Sequence, residues 1–124
     1  MIYKLHTSKE TQAIFDTVGS ANGLQPFALA KIAIALSIHQ GTLSAIDFET
    51  DNDGLELNRQ TIFGEYDMLF RCLIVNQEKH MLEENEYFPK TVKAHLDRGA
   101  KILLGESRYG KNLFMTLCQI DKNI

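Results

Sequence analysis

Lys90, Lys93 and Lys101 are spaced so that a helix carries them, with Asp97, on one outward stripe. Lysine meets phosphate as a point charge, so such a stripe suits contact with a nucleic-acid backbone. Arg98, Arg108 and Lys111 extend the basic set. The plainer alternative is an ordinary solvated helix face. Other chemistry finds less support. Glu49-x-Asp51-x-Asp53-Gly54 resembles half a calcium loop, with glycine correctly at the sixth position. Gln60 then falls at the twelfth, where a bidentate glutamate is needed, so a solvated acidic turn fits better. His6, His39, His80 and His95 form no H-E-x-x-H, and no Cys/His set has zinc-finger spacing. Gly105 to Gly110 lacks the Gly-Lys-Ser/Thr of a phosphate loop, and there is no G-x-S-x-G. No nucleophile, base and orienter can be named together. The expectation is a protein without catalytic residues, metal or cofactor.

The 124 residues read as a single domain over 1–124. Net charge is −3, which argues against a freestanding, tight nucleic-acid binder. The charges are divided, however. Asp47, Glu49, Asp51, Asp53 and Glu56 make an acidic loop, whereas the C-terminal third is basic. That division permits a basic face on an acidic protein. No basic n-region leads into an apolar run at the start, and Cys72 and Cys118 lack C-x-x-C spacing. The chain therefore reads as cytoplasmic, with buried or idle thiols.

The element that must position these residues is the stretch Pro26 to Gly41. Pro26 suits a first helical turn, and Gly23 and Gly41 suit the ends of two successive helices. Phe27, Leu29, Ala30, Ile32, Ile34, Leu36 and neighbouring alanines cover almost its whole circumference. Such a helix is buried on all sides, and it is too short for a span of about 20 apolar residues. It reads as both the central core helix and a subunit seam, with Pro26, Phe27, Ala30 and Ile34 at the interface. Before it, Met1 to His6 reads as an extended arm. Thr7 and Glu10 form a capping box that starts a helix over about 8–21. A third helix is predicted from Asn58 to about Lys79, with Gly64 marking either close contact with another helix or the helix's true start. A fourth runs from Pro89 to Leu104, with Val92, Leu96, Ala100 and Leu103 inward and Gly105 as its stop. Leu113 to Ile120 is a final apolar run. The fold class is mainly α: a compact, single-domain bundle of about four helices with a short N-terminal extended segment, and oligomeric. A short strand followed by two helices also fits a ribbon-helix-helix regulator, in which Ile2 to His6 would pair between two chains. A third possibility is a pure interaction scaffold whose acidic loop docks a basic partner.

Gly23-Leu24-Gln25-Pro26, then Ala30-Lys31-Ile32-Ala33 and Ser37-Ile38, resemble the DndE family of bacterial DNA sulfur modification (phosphorothioation). Leu57-x-x-x-Thr61-x-x-Gly64-Glu65 and His95-Leu96-x-x-Gly99 continue the match in order. The resemblance implies a helical, non-enzymatic accessory subunit that forms a homotetramer. It implies binding to double-stranded DNA, nicked in preference, through backbone phosphates. It also implies work beside a sulfur-transferring enzyme and an ATPase of the same modification system. Lys31 matches the family's basic residue in the core-helix block. The first helix is poorer in lysine than is usual there, leaving Lys9 as its cation. DNA contact is thus expected at Lys9, Lys31, Lys90, Lys93, Arg98 and Lys101.

Overall fold

A computed structural model describes residues 3–109. The N-terminal arm forms β1 (Lys4–His6), which pairs antiparallel with β2 (Glu56–Asn58) of the same chain, Leu5 opposite Leu57. Alternation turns both leucines into the core and leaves Lys4 and Glu56 outside, 2.9 Å apart. This pairing overturns the ribbon-helix-helix reading, because the strand's partner lies within the chain.

Helix α1 (Lys9–Asn22) begins one residue later than the capping box implies. Ser8, not Thr7, is the N-cap, and its Oγ accepts from the Thr11 N–H at 3.0 Å. The Thr7 hydroxyl is used elsewhere: it donates to the Ser8 carbonyl and accepts from the Leu55 N–H. Gly23 ends α1 at φ 66°, a left-handed conformation that suits glycine. The chain then turns by 109° into α2 (Pro26–Gln40), with Pro26 in the first turn as predicted. Among the described residues no single helix is long and apolar enough to cross a membrane.

The predicted third helix is two. α3 (Arg59–Phe63) and α4 (Asp67–Glu78) are separated by a 3-10 turn that starts at Gly64. Gly64 adopts φ 53° and ψ −128°, which lies outside helical space and breaks the run. The fourth helix also differs from expectation. A short turn, α5 (Glu84–Glu86), leads into a π-helical segment Tyr87–Val92 and then α6 (Lys93–Tyr109). Pro89 has no N–H to donate, and it falls in the irregular turn rather than at a clean helix start. Gly105 keeps a helical conformation, so α6 continues past it. The Leu113–Ile120 run, Arg108's side chain and Lys111 lie outside the described residues.

The core is built on α2 against α6. His95 faces Ser37 and Gly99 faces Ala33, so the two helices run antiparallel. They approach so closely that a Cβ on Gly99 would overlap the Ala33 carbonyl. Val92, Leu96, Ala100 and Leu103 all point inward, as their spacing predicts. α2 is the central core helix. Of the four residues expected at a subunit seam, Ala30 and Ile34 are fully buried inside the subunit, Phe27 is exposed and Pro26 is partly so.

Candidate functional site

The expected cationic stripe is divided by the fold. Lys90 and Lys101 are exposed, but Lys93 and Asp97 are buried. The Lys93 ammonium sits 2.7 Å from Asp97 Oδ2 and donates to Thr50 Oγ1 at 2.5 Å. Asp97 also accepts from Thr50 Oγ1 at 2.6 Å, from Thr11 Oγ1 at 2.7 Å and from the Ser8 N–H at 3.1 Å. One carboxylate thus ties the start of α1 and the Thr50 loop to α6. The outward placement of Lys93 and Asp97 is therefore corrected. A π-helical turn precedes α6 and the Thr50 loop folds over it, so a stripe on an isolated helix becomes a covered junction.

Arg98 is likewise occupied within the chain. Its guanidinium donates to the carbonyls of Ser37 at 2.6 Å, Gly41 at 2.5 Å and Thr42 at 3.1 Å, and Nε donates to Ser37 Oγ at 2.9 Å. A cation on these free carbonyls completes the C-terminal end of α2 and meets the negative end of its dipole. Arg98 is thus a helix-capping group rather than a free phosphate contact. Lys31 is half-buried on α2, and Lys9 is exposed at the start of α1. Lys101 lies 3.9 Å from Glu10, a loose surface pair worth little.

Beside Arg98 lies a Ser37–His95–Glu78 alignment that no motif announces. Ser37 Oγ is 2.8 Å from His95 Nδ1, and His95 Nε2 is 3.5 Å from Glu78 Oε2. Ser37 receives the Arg98 Nε–H, which leaves its own proton for Nδ1 and places the imidazole proton on Nε2, toward Glu78. Burial, then the Arg98 charge, push the imidazole down to about 4. Serine and histidine are both fully buried, so no substrate reaches the hydroxyl. Nε2 lies near Glu78 without a hydrogen bond, so the group is a polar clamp between α2 and α6 with the end of α4 beside it.

Among the described residues, two concavities bear on these cations and on the Gly23–Pro26 turn. One, of about 200 Å³, lies between the turn Ala45–Phe48, the loop through Thr50 and Asn52, and the segment from Pro89 to Ala94. Lys90 and Lys93 contribute to its wall. The other, of about 380 Å³, is an open groove along the Gly23–Pro26 turn, bordered by Phe15 and Asp16. The acidic loop is partly spent on local backbone. Asp51 accepts from the Asp53 and Lys9 N–H groups, which hold its carboxyl below the usual range, and Asp47 accepts from the Ser44 N–H and hydroxyl. No group of three or more potential metal ligands occurs among the described residues.

The family described as DNA sulphur modification protein DndE matches residues 4–110. The chain belongs to the DndE family. The crystal structure of DndE from Escherichia coli B7A, described as involved in DNA phosphorothioation modification, superposes with a TM-score of 0.68 at 21% identity. The match covers 83% of this chain and 97% of that one. A DndE mutant with two glycines changed to lysine, likewise described as involved in DNA phosphorothioation, gives 0.66 at 19% identity, covering 85% and 99%. No curated protein sequence matches the chain.

Two further features of this DndE-family chain escape sequence reasoning. Arg59 looks like a surface residue at a helix start. It is buried, forms a bidentate pair with Asp67 at 2.7 and 2.9 Å, and lies over the rings of Tyr87 and Phe88. That pair fastens α3 to α4. The second feature is the outward face of α4, where Met68, Leu69, Cys72 and Leu73 are all exposed and Ile74 is the helix's buried residue. Leu69, Phe70, Leu73 and Ile74 follow helical spacing, but only one side of α4 meets the subunit.

Proposed function

We propose that this chain is a DNA-binding accessory subunit of a DNA phosphorothioation system, with no reaction of its own. It holds double-stranded DNA, nicked in preference to intact, by the backbone phosphates. The observation that carries this reading is the DndE family match over residues 4–110. Of the candidate cations, Lys9, Lys90 and Lys101 are exposed and Lys31 is partly so. Phosphate contacts by lysine position a duplex without reading its sequence. Replacing a phosphate oxygen by sulfur requires partners that open or distort the backbone, and a holder of broken duplex suits that step. The partners are the sulfur-transferring enzyme and the ATPase of the same system, in the cytoplasm.

A net charge of −3 gives one copy a weak field for DNA. Assembly into a homotetramer brings lysines of several copies against one duplex. The seam is assigned to α4 rather than α2. Met68, Leu69, Cys72 and Leu73 carry no formal charge, so they offer a phosphate nothing and a second copy an apolar face. In cells carrying the modification system, removing this chain is expected to abolish phosphorothioate-linked dinucleotides in digested DNA, read by mass spectrometry. Undiminished phosphorothioate without the chain would overturn the reading.

A further inference from the structure

We propose that the pocket between the turn Ala45–Phe48, the Thr50–Asn52 loop and the start of α6 receives one unstacked nucleobase from the bound DNA. Phe48 lies against the base and Lys90 contacts its phosphate at the rim. This rests on the DNA-binding reading and adds the site and the chemical group it takes.

The size of the pocket sets the first limit. About 200 Å³ is below the roughly 300–1,000 Å³ of ordinary small-molecule sites, so it takes one planar group rather than a whole cofactor. The walls identify that group. Phe48 lines the pocket and is 47% exposed, so its ring has room for a planar partner. Base–aromatic stacking tolerates any sequence because every base has a π-face. Asp47 argues against a bare phosphate inside, since like charges repel. A carboxylate is instead an acceptor for an exocyclic amino group of a base. Among the described residues, the bonds and ion pair of Asp47 run through Oδ2, to Ser44 and toward Arg98, which leaves Oδ1 for a ligand. Asn52 adds an amide with both donor and acceptor. Lys93 gives two bonds, to Thr50 and Asp97, and its ammonium has a third N–H. The arrangement is apolar on one wall, hydrogen-bonding on the others and cationic at the mouth.

A base inside an intact stack cannot enter. Unstacking costs least where the strand is already broken or unpaired. Preference for nicked duplex then follows from the pocket itself, while the exposed lysines bind both forms.

The test uses the full chain and a duplex with 2-aminopurine beside a single nick, plus an anisotropy label at a distant end. The wild type is expected to bind and to raise the 2-aminopurine emission as the base leaves the stack. Phe48→Ala is expected to abolish that rise and weaken nicked-duplex binding by roughly fivefold or more, the loss of one base–aromatic stack, with intact-duplex binding unchanged. Far-UV circular dichroism checks its fold. Lys90→Gln, at an exposed position, is expected to lower the slope of log affinity against log salt by about 0.9 on the nicked duplex. Binding without a change in emission, or an equal change in Phe48→Ala, overturns the pocket and leaves the DNA-binding reading standing. No binding to either duplex overturns both.

Discussion

The Lys93 ammonium lies 2.7 Å from the Asp97 carboxylate, one turn along α6, and both side chains are largely buried. Removing one member of such a pair leaves a buried charge without its counter-charge. Lys93→Ala is therefore expected to cost about 3–5 kcal/mol in urea unfolding. Thr50→Val removes one hydroxyl from the same junction and is expected to cost about 1 kcal/mol. An unchanged urea midpoint for Lys93→Ala would show that the junction contributes nothing. Lys90 and Lys101 are exposed, so their variants are expected to keep the wild-type midpoint.

Gly99 allows α6 to rest directly on α2. A methyl there meets the Ala33 carbonyl, so the two central helices must separate. Gly99→Ala is expected to destabilise by about 1–3 kcal/mol or more, seen as a lower melting temperature. Gly105→Ala is the control, because a Cβ there meets nothing and the helix gains propensity. Equal melting temperatures for the two variants would refute the close approach.

His95 ties stability to pH. An ordinary histidine titrates near 6.5, and in the folded chain burial and Arg98 hold it down to about 4. Between those values the unfolded chain binds a proton that the folded one refuses. Stability is thus complete above 6.5 and falls as pH drops toward 4, by about 3 kcal/mol in all. Denaturant unfolding at pH 7 and pH 4.5 is expected to show that decline in the wild type and a smaller one in His95→Gln. Parallel declines would assign the acid sensitivity to other groups.

The α4 face provides a test of assembly. Leu69 and Leu73 are 53% and 44% exposed, so charging them leaves the subunit's own core alone. Leu69→Asp combined with Leu73→Asp is expected to yield folded monomers by light scattering where the wild type is larger. A variant that keeps the wild-type mass, or a wild type that is already monomeric, would remove α4 as the seam.

The fold was legible where local rules act alone. Gly23, Pro26, the inward stripe of α6 and the extended arm follow from backbone chemistry and periodicity. The family was legible in the spaced blocks around Pro26, Gly64 and Gly99. Side-chain fate was less so, because it depends on distant segments. Lys90 and Lys93 are three residues apart with the same side chain. One is exposed and the other is buried by a threonine 43 positions away. Arg98 differs from a surface arginine only because the end of α2 leaves carbonyls for it to satisfy. Ala30 and Ile34 looked available because a helix that is apolar all round gives no sign of which side another chain would see.

The central claim is that this chain grips DNA by its backbone and favours a break. Fluorescence anisotropy on matched nicked and intact duplexes, over a series of salt concentrations, tests it most directly. The account predicts tighter binding to the nicked duplex and affinity that falls linearly in log salt, with a slope of about −0.9 per phosphate contacted. It also predicts indifference to base sequence. Equal affinity for the two duplexes, or no binding at low salt, would contradict it.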